Sequence, residues 1–173
     1  MSTPEFAYID NETFLADVLA VADAMKREPW KPDFVVGIGR GGLVPGAYLS
    51  HRTNIPMLSV DHSSKVYDFS DELLMKLARQ TCDGKHILFI DDINDSGSTI
   101  VYLRDSMVKY GCVAEHVKFA VLLNNLSSRT TVDYWSRTIN RTTDKRWFVF
   151  PWEAVSTHDE LVEEANEVPQ RLA

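Results

Sequence analysis

Three features of the sequence predict an α/β fold with a mainly parallel, twisted sheet and helices on both faces. Short apolar runs recur along the chain, amphipathic segments separate them, and two of the runs lead into small-residue loops that open a helix. Continuous apolar runs are typical of parallel strands buried on both faces. Strands that alternate with helices indicate a parallel sheet. At 173 residues, the chain 1–173 is predicted to form one domain.

The individual elements follow from periodicity and from punctuation by proline and glycine. The first helix has apolar residues at helical spacing, is capped by Asp10, and is stopped by Pro29 and Pro32. In the second helix Pro45 is tolerated in the first turn. The predicted helices are Asn11 to Arg27, Leu43 to Arg52, Asp71 to Gln80, Thr99 to Tyr110 and the acidic Asp159 to Arg171. The predicted strands are Phe34 to Ile38, Met57 to Val60, Ile87 to Ile90, Val117 to Leu123 and Trp147 to Phe150.

The bulk composition excludes several classes of protein. Hydrophobic residues make up 45% and charged residues 25%, as in ordinary globular proteins rather than disordered ones. A formal charge of -7 without a basic run argues against nucleic-acid binding. The sequence has no signal peptide and no apolar stretch long enough for a membrane helix. Cys82 and Cys112 form neither a disulfide framework nor metal-ligand couples. A cytoplasmic protein is expected.

The most informative segment runs from Ile87 to Thr99. Its apolar strand ends at two adjacent acids, Asp91 and Asp92, and the loop Asp95-Ser-Gly-Ser-Thr99 then opens a helix. Amides at a helix N-terminus and hydroxyl groups bind phosphate, whereas a carboxylate pair accepts hydrogen bonds from a diol and orients magnesium waters. The segment therefore predicts a site for a phosphorylated ribose. For Asp95 a simple helix N-cap is the alternative.

A second loop, Gly37-Ile-Gly-Arg-Gly-Gly42, also joins a strand to a helix. It matches the Gly-x-Gly-x-x-Gly pattern of dinucleotide-binding proteins, and Asp61 lies where the ribose-binding acid would be expected. That alternative leaves the Asp91–Thr99 segment without a role, and the chain is short for a nicotinamide domain plus a substrate domain. With Arg40 at its centre, the loop offers amide donors and a cation to a polyphosphate.

These motifs resemble the type I phosphoribosyltransferases. The family signature, an apolar strand, an acidic pair and a small-residue loop, is matched by Asp91, Asp92, Asp95, Ser96, Gly97 and Thr99. Arg40-Gly-Gly-Leu-Val-Pro-Gly46 resembles the pyrophosphate loop of the bacterial xanthine-guanine and hypoxanthine branch. Trp147-Phe-Val-Phe-Pro-Trp-Glu153 resembles the base-binding segment of that branch.

The resemblance implies a purine phosphoribosyltransferase that uses phosphoribosyl pyrophosphate and Mg²⁺, and it assigns roles to individual residues. Arg40, Gly41 and Gly42 would contact the pyrophosphate, through a strained cis peptide of the kind the family uses. Asp91 and Asp92 would hold the ribose hydroxyls and the metal, directly or through water. The 5-phosphate would lie against Ser96, Gly97, Ser98 and Thr99. Asp95 would accept a proton near N7 of the base, and Trp147, Phe148 and Glu153 would form the base site. The catalytic residues would be Asp95 and Arg40.

The resemblance also implies a small C-terminal hood within 124–155, a mobile active-site loop within 62–85, and a dimer or tetramer. Lys65 is a candidate pyrophosphate contact in that loop. The sequence departs from the branch after the strand that ends at Leu123, where a lysine usually contacts the 6-oxo group and this chain has Asn124 and Asn125. An Asn124 amide is a candidate replacement. A phosphoribosyl pyrophosphate sensor without turnover, or transfer to another base, are the alternatives.

Overall fold

The computed structural model describes residues 4–61 and 68–167. A five-stranded sheet with every neighbouring pair parallel forms its centre, in the order β3-β2-β4-β5-β6. Its strands are β2 (Phe34–Ile38), β3 (Met57–Val60), β4 (Ile87–Asn94), β5 (Val117–Asn125) and β6 (Tyr134–Ile139). Two further strands, β1 (Phe6–Tyr8) and β7 (Trp147–Val149), form a separate parallel pair. The helices are α1 (Asn11–Lys26), α2 (Gly39–Thr53), α3 (Asp68–Cys82), α4 (Ser98–Lys109) and α5 (His158–Asn166).

The sheet is covered on both faces, as the apolar runs predict. Successive side chains of a strand point to opposite faces, and β4 shows this directly. Leu88 and Ile90 belong to the core that contains Phe14 and Val18 of α1, whereas Phe89 packs with the residues of α3 and α4 on the other face. These residues of β4 are fully buried. The α/β class and the helices on both faces are therefore confirmed.

The predicted elements differ from the observed ones mainly at their ends. The helix predicted from Leu43 begins at Gly39, so the segment Gly39–Gly42 is the first turn of α2 and not a loop. The strand predicted to end at Ile90 continues through the acid pair to Asn94, because β5 provides a hydrogen-bonded neighbour along its whole length. The helix predicted over Asp71 to Gln80 is confirmed as α3. Lys65 and the C-terminal residues 168–173 lie outside the described residues.

Two strands were absent from the prediction. No strand was predicted between Leu123 and Trp147, but Tyr134–Ile139 forms the edge strand β6. At the N-terminus, Phe6 pairs with Trp147 in register, so β1 supports the strand that carries the predicted base-binding residues. None of the helices within 4–61 and 68–167 is both long and apolar enough to cross a membrane.

Candidate active site

A cavity of about 270 Å³ opens at the carboxyl end of β4. In a parallel sheet this edge is the expected place for a ligand. The cavity brings together most of the site residues predicted from the sequence. Those that line it are Asp91, Asp92, Asp95, Ser96, Gly97, Ser98, Thr99, Trp147, Phe148 and Glu153. It is also lined by Ile93, Asn94, Ile100, Arg141 and Phe150. Arg40, Gly41 and Gly42 are not among the lining residues.

The acid pair lies in the second half of β4, where burial disfavours the charged form of both carboxyl groups. The backbone N–H of Asp92 donates to Oδ1 of Asp91 at 3.0 Å. Burial, followed by the neighbouring Asp92 carboxylate, raises the pKa of Asp91 well above its usual value. Burial, followed by the charge of Glu153, raises the pKa of Asp92 to about 7. Among the described residues no cationic side chain forms an ion pair with either carboxylate, so the pair is suited to bind hydroxyl donors or a cation.

Glu153 places a fourth carboxyl group in the cavity, besides those of Asp91, Asp92 and Asp95. Its Oε2 accepts from the backbone N–H of Phe150 at 2.8 Å, which fixes the side chain over the 3₁₀ turn Pro151–Val155. Burial raises the pKa of Glu153, and the charge of Glu164 adds to that effect. The Glu153 side chain therefore stabilises the turn that follows the predicted base-binding strand.

The small-residue loop forms the start of α4. Gly97 is the N-cap and has φ 85°, which favours glycine. Space also requires glycine there, because a methyl group would come within 2.7 Å of the Ser128 Oγ and within 2.8 Å of Thr130. Ser96 and Ser98 share a hydroxyl–hydroxyl hydrogen bond of 2.9 Å. Asp95 is not the N-cap, so that alternative for its role is wrong.

Asp95 instead forms a two-point ion pair with Arg141. Nε of Arg141 lies 2.9 Å from Oδ1 and 3.2 Å from Oδ2 of Asp95, and Nη2 lies 2.8 Å from Oδ2. The Arg141 side chain is 7% exposed and that of Asp95 22%. The guanidinium also lies 5.1 Å from the ring centroid of Phe148. Arg141 was not predicted, since the polar segment Asn140–Arg146 matches no motif.

The two asparagines at the end of β5 have different surroundings. The Oδ1 of Asn124 accepts from Nδ2 of Asn94 at 2.8 Å, and Asn124 does not line the cavity. Asn125 is buried, and its Nδ2 donates to the Asp95 carbonyl at 2.9 Å while its Oδ1 accepts from the Arg141 backbone N–H at 3.1 Å. Asn125 therefore joins the loop that carries Asp95 to the segment that carries Arg141.

The start of α2 lies beside the acid pair. A methyl group at Gly41 would overlap the Asp92 carboxylate, and it would lie 3.0 Å from Oδ1 of Asp91. The Arg40 side chain points away from the protein surface, with 91% of it exposed, and Nη2 lies 3.6 Å from Oε1 of Glu164 on α5. All peptide bonds of the described residues are trans, so the expected cis peptide between Arg40 and Gly41 is wrong for this structure.

Comparison with known proteins identifies the family. The model of the phosphoribosyl transferase domain matches residues 7–156. The chain belongs to the phosphoribosyltransferase family. A xanthine-guanine phosphoribosyltransferase of Idiomarina loihiensis is 30% identical over 125 residues, which cover 69% of this phosphoribosyltransferase and 70% of that relative.

Three solved structures share the fold of this phosphoribosyltransferase. A purine phosphoribosyltransferase from Pyrococcus horikoshii has a TM-score of 0.63 at 23% identity, over 88% of this chain and 97% of the other. The xanthine-guanine-hypoxanthine enzyme of Helicobacter pylori has a TM-score of 0.65 at 19% identity, over 86% and 94%. A Neisseria gonorrhoeae protein with bound ppGpp has a TM-score of 0.70 at 19% identity, over 95% and 99%.

These findings confirm the predicted family, fold and enzyme class, a phosphoribosyltransferase of the purine type. They argue against the alternative that the Gly37–Gly42 segment binds a dinucleotide. The individual roles assigned to the site residues stay predictions.

Proposed function

We propose that this phosphoribosyltransferase transfers ribose 5-phosphate from phosphoribosyl pyrophosphate to a 6-oxopurine, namely hypoxanthine, guanine or xanthine. One observation carries this proposal: a single cavity is lined by a carboxylate pair, a hydroxyl-rich helix start and the aromatic residues Trp147 and Phe148. These are the groups that a sugar, a phosphate and a planar base require.

The two polar ends of the cavity fit a ribose 5-phosphate. The amides at the start of α4 and the hydroxyl groups of Ser96, Ser98 and Thr99 would bind the 5-phosphate, with the helix dipole favouring its charge. Asp91 and Asp92 would accept hydrogen bonds from the ribose hydroxyls. Hydroxyl donors favour the ionised carboxylates, so the bound sugar would offset the mutual repulsion of the pair.

The carboxylates also fit Mg²⁺, which prefers oxygen ligands. Within the described ranges no three His, Cys, Asp or Glu side chains are arranged as a metal centre. A magnesium ion at Asp91 and Asp92 would therefore be held together with substrate oxygens or water. Its chemistry would be to neutralise charge on the departing pyrophosphate.

The base would lie against Trp147 or Phe148, at the end of the cavity opposite the phosphate. Aromatic side chains stack on planar bases. The 6-oxopurine preference is supported by the relationship to the Idiomarina enzyme, which acts on xanthine and guanine according to its name. Asp95 would accept a proton from the imidazole ring of the purine.

The rate gain would come from positioning and from charge stabilisation. As the pyrophosphate departs, positive charge builds on the ribose ring, and the base nitrogen attacks from the opposite face. Asp91 and Asp92 hold the sugar in place during this step. Arg40 and the amides at Gly41 and Gly42 would bind the pyrophosphate, for which Arg40 must leave Glu164 and turn toward the acid pair.

We further propose that the chain acts in the cytoplasm as a homodimer or homotetramer, that its domain is 1–173, and that a loop within 62–85 and a hood within 124–155 close the cavity. Lys65 is proposed as a pyrophosphate contact in that loop.

The test is an assay of pyrophosphate release with Mg²⁺ and phosphoribosyl pyrophosphate against hypoxanthine, guanine, xanthine, adenine, uracil and orotate. Turnover with at least one 6-oxopurine is expected. Asp92→Asn and Arg40→Ala are expected to lose turnover while the fold persists. Binding of phosphoribosyl pyrophosphate without turnover on any base would favour a sensor, and turnover with uracil or orotate alone would exclude the purine assignment.

A further inference from the structure

Arg141 is held from several sides by groups around the cavity. Besides the two-point pair with Asp95, its Nη1 lies 2.6 Å from the carbonyl oxygen of Arg146 and 3.3 Å from that of Asp144. Its backbone N–H donates to Oδ1 of Asn125 at 3.1 Å. A guanidinium held by this many acceptors has one orientation.

One N–H of the Arg141 guanidinium is not used in these contacts. Nε and one hydrogen of Nη2 are used by Asp95, and Nη1 donates to the two carbonyl oxygens. The second hydrogen of Nη2 has no acceptor among the residues that the structure describes. Arg141 is also the only cationic side chain among the described residues that line the cavity, where it faces four acids.

We infer that Arg141 both positions Asp95 and contacts the base directly, and that it thereby sets the preference for purines with a nitrogen at position 7. The inference rests on the proposed function. A purine that is ribosylated at N9 changes its imidazole ring: N7 carries a proton in the reacting tautomer of the free base and is an unprotonated acceptor in the nucleotide. Asp95, held by Arg141, is the acceptor for the first form, and the remaining N–H of Arg141 is the donor for the second.

The pair thus provides one acceptor and one donor to the same ring position. The acceptor alone would repel the lone pair of the nucleotide N7, so the arginine supports binding of the nucleotide as well as of the base. Nothing in the contacts of Asp91, Asp92 or the Ser96–Thr99 segment depends on Arg141, so the ribose 5-phosphate half of the cavity is expected to be independent of it.

The experiment measures the dissociation constants of guanosine 5′-monophosphate, 7-deazaguanosine 5′-monophosphate and ribose 5-phosphate by isothermal titration. The wild-type chain is expected to bind the 7-deaza nucleotide about tenfold more weakly, as one hydrogen bond to a charged donor predicts. Arg141→Gln is expected to remove this discrimination while ribose 5-phosphate binds within about threefold of wild type. Arg141→Lys, which keeps the charge, is expected to recover part of it.

The matched control is Arg146→Gln. Arg146 lies in the same segment, and its side chain forms an ion pair with Asp144 at 2.8 Å. The Arg146 side chain is 46% exposed and does not line the cavity. This variant is expected to discriminate as the wild type does. If Arg141→Gln does not fold, Arg141→Lys is measured in its place, and its discrimination between the two nucleotides is expected to be smaller than that of the wild type.

Two results would overturn the role of Arg141 alone: a wild-type protein that binds both nucleotides equally, or an Arg141→Gln variant that weakens all three ligands in parallel and keeps the discrimination. Failure of the wild type to bind either nucleotide, with ribose 5-phosphate still bound, would instead overturn the purine assignment on which the inference rests.

Discussion

Gly41 lies so close to the Asp92 carboxylate that a methyl group on its α-carbon would overlap the carboxylate and come within 2.8 Å of Cγ. This contact joins the first turn of α2 to the end of β4, two segments that are about 50 residues apart and that the sequence presents as separate motifs. The glycine-rich segment and the acid pair therefore form one site, in which the backbone of α2 at Gly41 contacts the Asp92 carboxylate.

Gly41→Ala is expected to lower kcat/KM for phosphoribosyl pyrophosphate on the order of 10²-fold, because the methyl group must displace the acid pair from its position. Steady-state kinetics at saturating base measures this. Gly46→Ala on the same helix is the control, since its methyl group meets the flexible end of Met57 at 2.9 Å and lies away from the carboxylates. It is expected to cost about 1–3 kcal/mol of stability with kcat/KM preserved in the folded protein. Equal kinetics for Gly41→Ala and wild type would contradict the proposed site.

The raised pKa of Asp92 predicts that the unliganded protein loses stability as pH rises. The folded-state pKa is about 7 against an ordinary value of 3.8. Between these values the folded protein keeps a proton that the unfolded chain has released, so the free energy of unfolding falls as pH rises through this window and stays low above it. The raised pKa of Asp91 acts in the same direction.

Asp92→Asn removes this effect, because the amide has the same shape and no charge. The variant is expected to have a Tm a few degrees higher than that of the wild type at pH 8. For a chain of this size, 1 kcal/mol of stability corresponds to about 2–4 °C in Tm. The difference should shrink toward pH 5, and turnover should be lost. Thermal unfolding followed by circular dichroism across this pH range measures it. A difference in Tm that does not change with pH would show that burial does not raise the pKa of Asp92.

The sequence predicted the central strands and the acid pair well, because these features depend on local patterns. The apolar run from Ile87 to Ile90 must be buried wherever it lies, and Ser96 to Thr99 opens a helix by local hydrogen bonding. The predicted start of α2 was four residues too late, because glycines are poor helix formers. The glycines are required by a tertiary contact instead: Gly42 packs directly against the Ile90 carbonyl group.

Edge strands and single long-range partners were harder to predict. Residues Tyr134–Ile139 alternate only weakly between buried and exposed side chains, and their strand character comes from pairing with β5. Arg141 contacts Asp95 across 46 positions of the chain, and no local pattern marks such a contact. The functional residue that sequence reasoning missed is thus the one defined by tertiary structure alone.

Asp17 and Arg137 form an ion pair that attaches α1 to the edge strand. The Asp17 side chain is 4% exposed and accepts from Arg137 Nη2 at 2.7 Å and from the Ser136 hydroxyl at 2.6 Å. Arg137→Met would leave a buried carboxylate without its cation, so a loss of about 3 kcal/mol is expected. Because the Arg137 side chain is 43% exposed, this value is the low end of the range for such pairs. Urea denaturation measures the loss.

Arg146→Met is the comparison for this prediction, since Arg146 pairs with Asp144 at the surface and should cost no more than about 0.5 kcal/mol. The folded Arg137→Met protein is expected to keep its kinetic constants, because neither partner of the pair lines the cavity. A loss of activity larger than the loss of folded protein would mean that the edge strand shapes the site.

Trp147 is expected to bind the base and not the sugar phosphate. Trp147→Ala should lower kcat/KM for the 6-oxopurine about 10–100-fold, the range for loss of one stacking contact, with the KM for phosphoribosyl pyrophosphate little changed. Trp152→Ala is the matched control: Trp152 packs on Phe14 and Phe150 at centroid distances of 5.3 and 4.9 Å and does not line the cavity. Because Trp152 is only partly buried, this change should cost less stability than the value of about 3–5 kcal/mol for a fully buried tryptophan, and it should leave the kinetics of the folded protein intact. Equal losses for base and phosphoribosyl pyrophosphate in Trp147→Ala would assign Trp147 to the support of the cavity, and stacking would then fall to Phe148.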